Sequence, residues 1–303
     1  MLDKLTLSNN HSKIEETYSA SLAYLESHPD LYRAIATHIM AYREIGDLIP
    51  QTPENFWSGH FFPYSEALYE LENSYELALQ GFYNYAFIAL RSVLELGLLG
   101  VYFAVHDTEY IDVRPWIISK KRTPRRQDIF TRLRKMETFR AFDSRFGLEK
   151  RILKIFDVLD GFVHTRGYRY SSSALTLANF NQFSEKSLRL YCNTMFGVVA
   201  NLMIIILLKY PVGMQGLPLD EKFGLNGPIG GFLREGQVRL ITSLIDPEER
   251  EFLQKLSDED PTVQSIVEYF TNLPDITDEE LQRQIMEFDN FLKMNSRSDE
   301  DAG

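Results

Sequence analysis

Twenty consecutive residues, Ala86 to Val105, are apolar apart from Arg91, Ser92 and Glu95. A stretch this apolar on every side has no solvent face, so it forms either the central helix of a core or a membrane span. Two ionised groups near its middle make the membrane costly. A second apolar run, Val198 to Leu208, has only 11 residues, too few to cross a bilayer. Both are therefore expected as buried core helices of a soluble protein with no membrane contact. The chain can surround them: its 303 residues are 44% hydrophobic and 13% aromatic, enough for one large domain or a main domain with an appendage. Its one cysteine, Cys192, excludes a disulfide framework and a Cys-cluster metal site and suits a reducing cytosol. Residues 1–8 lack a basic region followed by a long apolar run, so no signal peptide is expected and the location is expected to be cytoplasmic.

Helical spacing of apolar residues runs almost throughout. It predicts helices over 12–26 and 29–46, one long helix over 66–105, and further helices over 127–142, 149–164 and 179–210, the last ended by Pro211. Residues 51–65, with Pro53, Gly59 and Pro63 among five aromatics, read as an aromatic loop, and 107–125 as a basic connection. Residues 211–236 hold 7 of the 17 glycines and 3 of the 12 prolines, which marks a linker or extended loop. In the tail, Asp246-Pro247 and Asp260-Pro261 each place a capping acid before a proline at the first helical position. Thr277-Asp278-Glu279-Glu280 matches a capping box. Helices are thus expected over 247–256, 261–273 and 278–294, with Asn295 to Gly303 disordered. The organisation read from this is 1–65, N-terminal helices and aromatic loop; 66–210, main helical domain; 211–236, Gly/Pro-rich linker; and 237–303, acidic helical tail.

Nucleotide and metal signatures are missing. There is no Gly-Lys dipeptide, hence no P-loop, and no Gly-x-Ser-x-Gly or His-Glu-x-x-His. The six histidines are scattered with no pair at metal spacing, so no metal and no cofactor is expected. The run Gly224 to Gly231 matches no dinucleotide fingerprint and reads as a flexible loop.

Two polar groups stand out. Arg91 and Glu95 lie one turn apart on the most apolar helix, and such residues are almost never buried unpaired. They form either a structural ion pair or the edge of a polar pocket between helices. The second group is Asp160-Gly161-Phe162-Val163-His164-Thr165-Arg166-Gly167-Tyr168-Arg169. His164 closes a helix, where positive charge is favoured, and Asp160 stands one turn before it and can orient its imidazole. The alternative is a helix-end histidine capping backbone carbonyls.

The pairing of Ala89-Leu90-Arg91-Ser92-Val93-Leu94-Glu95 with Phe156 to Thr165 resembles helical proteins of the HEPN superfamily (higher eukaryotes and prokaryotes nucleotide-binding), in particular uncharacterised bacterial members, several linked to defence. The resemblance covers roughly residues 66–210. It implies an all-α fold, a HEPN-like helical bundle with long central helices plus a small C-terminal helical extension here, often dimeric, with stress or antiphage defence as the setting. On that basis His164 would act as acid/base, Arg91 or Arg166 would stabilise phosphate charge, and Glu95 would orient Arg91. The chain departs from the family's ribonucleases, which carry Arg followed four to six residues later by His. No arginine stands at that distance before His164. Arg33 and His38 have the spacing but lie in an N-terminal helix, without the usual polar residue after the arginine.

Residues 114–169 hold 16 Lys or Arg against 6 Asp or Glu, a local +10, whereas 246–303 hold 5 against 17, a local −12, within a chain of net charge −11. The segregation offers Lys120, Lys121, Arg122, Arg125, Arg126, Arg132, Arg166 and Arg169 as phosphate ligands, with Trp116, Phe130 and Tyr168 to stack on bases. The leading expectation is RNA or nucleotide binding. The alternative is a non-catalytic interaction module whose acidic tail binds a protein partner or shields the basic segment.

Overall fold

The computed structural model describes residues 11–176 and 181–300, with side chains to residue 293. The chain is an all-α bundle. Among the described residues no strand forms, and one parallel bridge joins Gly216 to Leu233. Helices α1 (His11–Glu26) and α2 (Pro29–Glu44) form the expected N-terminal pair, α2 opening on Pro29, whose missing N–H costs nothing there.

The segment expected as an aromatic loop is instead α3 (Pro53–Ser58) and the start of α4 (Phe61–Leu79). Its prolines misled because both fall in first turns, where an N–H has no helical partner to lose. Thr52 caps α3, its hydroxyl accepting from Asn55 N–H at 3.1 Å.

The single long helix expected over 66–105 is two antiparallel helices, α4 and α5 (Tyr83–Ala104), packed side by side. Gly81, at φ +80°, makes the reversal. Its N–H bonds Ala78 C=O at 3.1 Å and Phe82 N–H bonds Leu77 C=O at 2.8 Å, the paired bonds by which a left-handed residue closes a helix.

Next come α6 (Val113–Ile117), α7 (Arg126–Leu133), α8 (Glu137–Phe146), α9 (Leu148–Val163), α10 (Ser172–Thr176) and α11 (Glu185–Lys209). The helix expected over 127–142 is split into α7 and α8, because extended Met136 redirects the chain and lets Phe139 and Phe142 enter the core from α8. α11 begins at Glu185 rather than 179. Ser184 is extended there and its hydroxyl accepts from Ser187 N–H at 3.3 Å; residues 177–180 lie outside the described ones.

α5 and α11 cross at the centre, α5 also touching α7, α9 and α10, and α11 touching α2, α8 and α9. Both helices are long and apolar enough to span a membrane, so the 11-residue argument understated α11. Yet 72% and 67% of their most apolar windows are buried against other helices, as in the core of a soluble protein.

The expected linker carries α12 (Leu219–Phe223) and 3-10 turns, followed by α13 (Glu235–Thr242), α14 (Pro247–Asp258), α15 (Pro261–Asn272) and α16 (Asp278–Glu300). Helix α16 thus runs past Met294; of the end expected to be disordered, residues 301–303 lie outside the described ones. Asp246 and Asp260 cap α14 and α15 as read, accepting from Glu248 N–H at 2.9 Å and Thr262 N–H at 2.8 Å.

Candidate nucleic-acid interface

Arg91 does form a pair with Glu95, but its principal partner is remote in sequence. Its Nε donates to Asp160 Oδ1 at 2.7 Å, while Arg126 Nη2 donates to Asp160 Oδ2 at 2.8 Å. Both guanidiniums lie over the Phe156 ring, at 4.6 Å for Arg91 and 4.0 Å for Arg126. Phe156 stands one turn before Asp160 on α9, so a single helix face supplies both the anion and the aromatic plate. Arg91 Nη1 reaches Glu95 Oε1 at 2.6 Å without its N–H pointing along the contact. Asp160 is only 8% exposed. Burial pushes its carboxyl up, but the hydrogen bonds from Arg91 and Arg126 outweigh that and hold it below the ordinary carboxylate value.

Asp160 therefore faces the arginines of α5 and α7, not His164. The expected Asp160–His164 orientation does not form. His164 is the exposed C-cap of α9; its backbone N–H bonds Asp160 C=O at 3.0 Å, and its imidazole makes no hydrogen bond to another described residue. Arg166 pairs with Asp157 at 2.7 Å on the surface, and Arg169 lies 5.6 Å from the Tyr170 ring.

A second ion pair fixes how α7 lies. Arg126, at its start, reaches Asp160 near the end of α9. Arg134, just past its end, reaches Glu149 at the start of α9 with Nη2–Oε1 at 2.6 Å. Helix α7 thus runs antiparallel along α9. Lys121 and Arg132 both close on Asp112, at 2.6 and 2.8 Å, and Arg132 covers the Tyr102 ring at 4.1 Å. Together they hold the Asp112 carboxyl below its usual value: the Lys121 hydrogen bond leads, burial opposes it, and Arg132 adds to it.

Arg114, Arg145 and Arg169 are exposed and lie against aromatic rings, and most of the other basic residues sort into two groups. Lys121, Arg126, Arg132, Arg134 and Arg166 are spent on nearby acids. Lys120, Arg122, Arg125, Lys135, Lys150 and Lys154 are exposed and have neither a carboxylate nor an aromatic partner among the described residues. One ion pair, Arg151 with Glu249 of α14, joins the basic segment to the tail among the described residues. Phe252 of α14 packs there on Phe142 and Phe146.

Of the three aromatics expected to stack on bases, Phe130 is 2% exposed and sits in the core. Trp116 packs near Phe62 and Phe103, and its Nε1 donates to Thr123 Oγ1 at 3.0 Å. Tyr168 alone is open. The three cavities described, of about 540 to 670 Å³, all involve the region from Met214 to Phe270, and none is lined by Arg91, Asp160 or His164.

One polar pair escaped the sequence reading. His60, at the start of α4, places Nε2 3.2 Å from Asp107 Oδ2, and Asp107 also accepts from Asp112 N–H at 2.8 Å and Val113 N–H at 3.1 Å. With 47 positions separating them, no local pattern could announce it. Asp107 is thereby committed to opening α6 and tying it to α4. Burial pushes the His60 imidazole below its ordinary value, against the opposing pull of Asp107, and burial lowers His38 as well. A lowered histidine gives stability that is present above its unfolded value of about 6.5 and is lost as pH falls towards the folded value. Thermal stability should accordingly decline on acidification from about pH 6.5, and the double variant His38→Gln/His60→Gln should flatten that slope. An unchanged slope in melting curves would show that other groups set it.

Comparison with family models, curated proteins and solved structures returns no match to this chain.

Proposed function

We propose that this protein is a HEPN-like helical protein that binds RNA through the face formed by the 119–125 loop, the α7–α8 turn and α9. The carrying observation is the set of six exposed cations in 114–169 with neither a carboxylate nor an aromatic partner among the described residues, Lys120, Arg122, Arg125, Lys135, Lys150 and Lys154. Four of them flank α7, in the loop before it and the turn after it, and two stand on α9; two ion pairs tie the ends of α7 to α9. Cations that a fold does not neutralise internally are available to phosphates. The overall charge of −11 does not oppose this, because the acidic tail meets the basic segment through a single ion pair among the described residues. The Arg91–Asp160–Arg126 cluster serves as scaffold: it holds α7 on α9 so that the free cations form one surface. Binding without His164 chemistry fits the imidazole's lack of an orienting partner among the described residues. The test is fluorescence polarisation with single-stranded RNA against salt, comparing wild type with Lys120→Ala/Arg122→Ala/Arg125→Ala. Salt-independent affinity, or full affinity in the triple variant, overturns the proposal.

A second function, protein binding by the tail, is favoured by one observation. Ile285, Met286, Phe288, Phe291 and Leu292 are exposed within one stretch of α16, whose packed part is held near Gly224–Asn226 by Gln284. The charge of −12 over residues 246–303 fits a partner segment that is both apolar and basic. A basic amphipathic peptide should bind wild type and lose affinity for Phe288→Asp/Phe291→Asp. Failure to bind wild type removes this function.

A further inference from the structure

The turn after α9 is built as a presentation device. α9 closes with Thr165 in the left-handed region, at φ +44°. Thr165 N–H reaches Phe162 C=O at 3.3 Å and Arg166 N–H reaches Gly161 C=O at 2.9 Å. Glycine is the ordinary residue at that position; a β-branched threonine there is strained and needs surrounding structure to hold it. The bracing is visible on both sides. Arg166 is tied back to Asp157 at 2.7 Å. Tyr170 packs edge-on against Phe162 with ring centroids 5.2 Å apart, and it occupies the space over Gly161 that any Cβ there would fill. Ser171 closes the turn, its N–H and hydroxyl both donating to Tyr168 C=O, at 3.0 and 2.7 Å.

Between these anchors stands Tyr168, 71% exposed. Its backbone is fixed from both sides while its ring touches no other aromatic among the described residues. Arg166 and Arg169 flank it in sequence. The bond from Arg126 to Asp160 brings the start of α7, with Arg125 and the loop carrying Arg122, to this same end of α9. An exposed ring on a braced backbone, beside Arg169 and the unpaired cations ahead of α7, has the two elements of a stacking platform for an unpaired base, whose phosphates those cations take.

We infer that Tyr168 is a base-stacking residue and that the basic face selects single-stranded over duplex nucleic acid. This rests on the RNA-binding proposal above and names its substrate class. In a duplex the base faces are already stacked on their neighbours, so Tyr168 gains nothing from them, whereas phosphate contacts serve both forms.

The experiment measures the full chain, as wild type, Tyr168→Ala and Tyr168→Phe, against a single strand of about 12 nucleotides, within the known range of site sizes, and against a duplex with the same number of phosphates. Tyr168→Ala should weaken single-strand binding roughly tenfold, in the range one stacked base contributes, and leave duplex binding unchanged. Tyr168→Phe should retain wild-type affinity for both, since the ring and not the hydroxyl stacks. Unchanged single-strand affinity in Tyr168→Ala overturns the inference. So does an equal loss on both probes, or a phenylalanine that fails to restore binding, either of which would mean the turn itself had been disturbed. Wild type that binds neither probe defeats the RNA-binding proposal itself, and that result is distinct from the others.

Discussion

Asp160→Ala is expected to cost the fold about 3–5 kcal/mol, the range for breaking a buried ion pair from one side. The wild-type carboxylate gives one oxygen to each of two arginines that share the Phe156 ring. Without it, Arg91, whose side chain is 16% exposed, keeps only the misaligned contact with Glu95. Arg126, at 33% exposed, recovers part of its hydration, which places the expected loss towards the lower end of that range. Asp160→Asn should fall between wild type and alanine, because its amide keeps one acceptor but turns a donor towards a guanidinium. Glu95→Ala is the internal contrast: a half-exposed carboxylate on the same arginine contributes under about 1 kcal/mol. The sign with pH follows from the lowered Asp160 carboxyl. Its contribution is complete above the unfolded value of about 3.9 and is lost only as pH falls through the folded value beneath it. Chemical denaturation at neutral pH reads all three variants. A loss under about 1 kcal/mol for Asp160→Ala, the size of a surface pair, would mean that the arginines are solvated and that α7 is held by other contacts.

That cluster also marks where local sequence pattern stops being informative. The central helix around Arg91, the caps at Asp246 and Asp260 and the boundaries of α9 were legible because each depends on residues within a turn or two. So was the pairing of Arg91 with Glu95. The partner that matters more, Asp160, is 69 positions away, and one-turn spacing instead suggested that Asp160 served His164. The competing interaction won because two guanidiniums on a buried carboxylate outweigh one imidazole at an exposed helix end. The break at Gly81 was missed for a related reason. Apolar residues continue on both sides of it at spacing compatible with one helix, and only the antiparallel packing of α4 on α5 reveals that the glycine is used for its left-handed backbone. The same competition explains the basic stretch. Sequence counts every cation equally, whereas folding spends Lys121, Arg126, Arg132, Arg134 and Arg166 on neighbouring acids and leaves a smaller set facing solvent.

That smaller set makes the second large effect quantitative. If the six unpaired cations each neutralise one phosphate of a single strand, the logarithm of the affinity should fall with the logarithm of salt at a slope of roughly −4. Removing Lys120, Arg122 and Arg125 together should halve the slope to about −2 and weaken binding at least a hundredfold at low salt, where counterion release is strongest. Removing Lys121 and Arg132 instead should barely change the slope, because Asp112 already holds them, though it releases that acid on the surface and lowers affinity by simple repulsion. The first variant removes three positive charges and the second two, a difference too small to halve one slope and leave the other nearly unchanged; the pairing seen in the fold separates them. Equal slopes for both would mean that phosphates compete successfully for the paired cations. The proposed RNA-binding face would then be an open field of charge and not an ordered strip along the flanks of α7 and on α9.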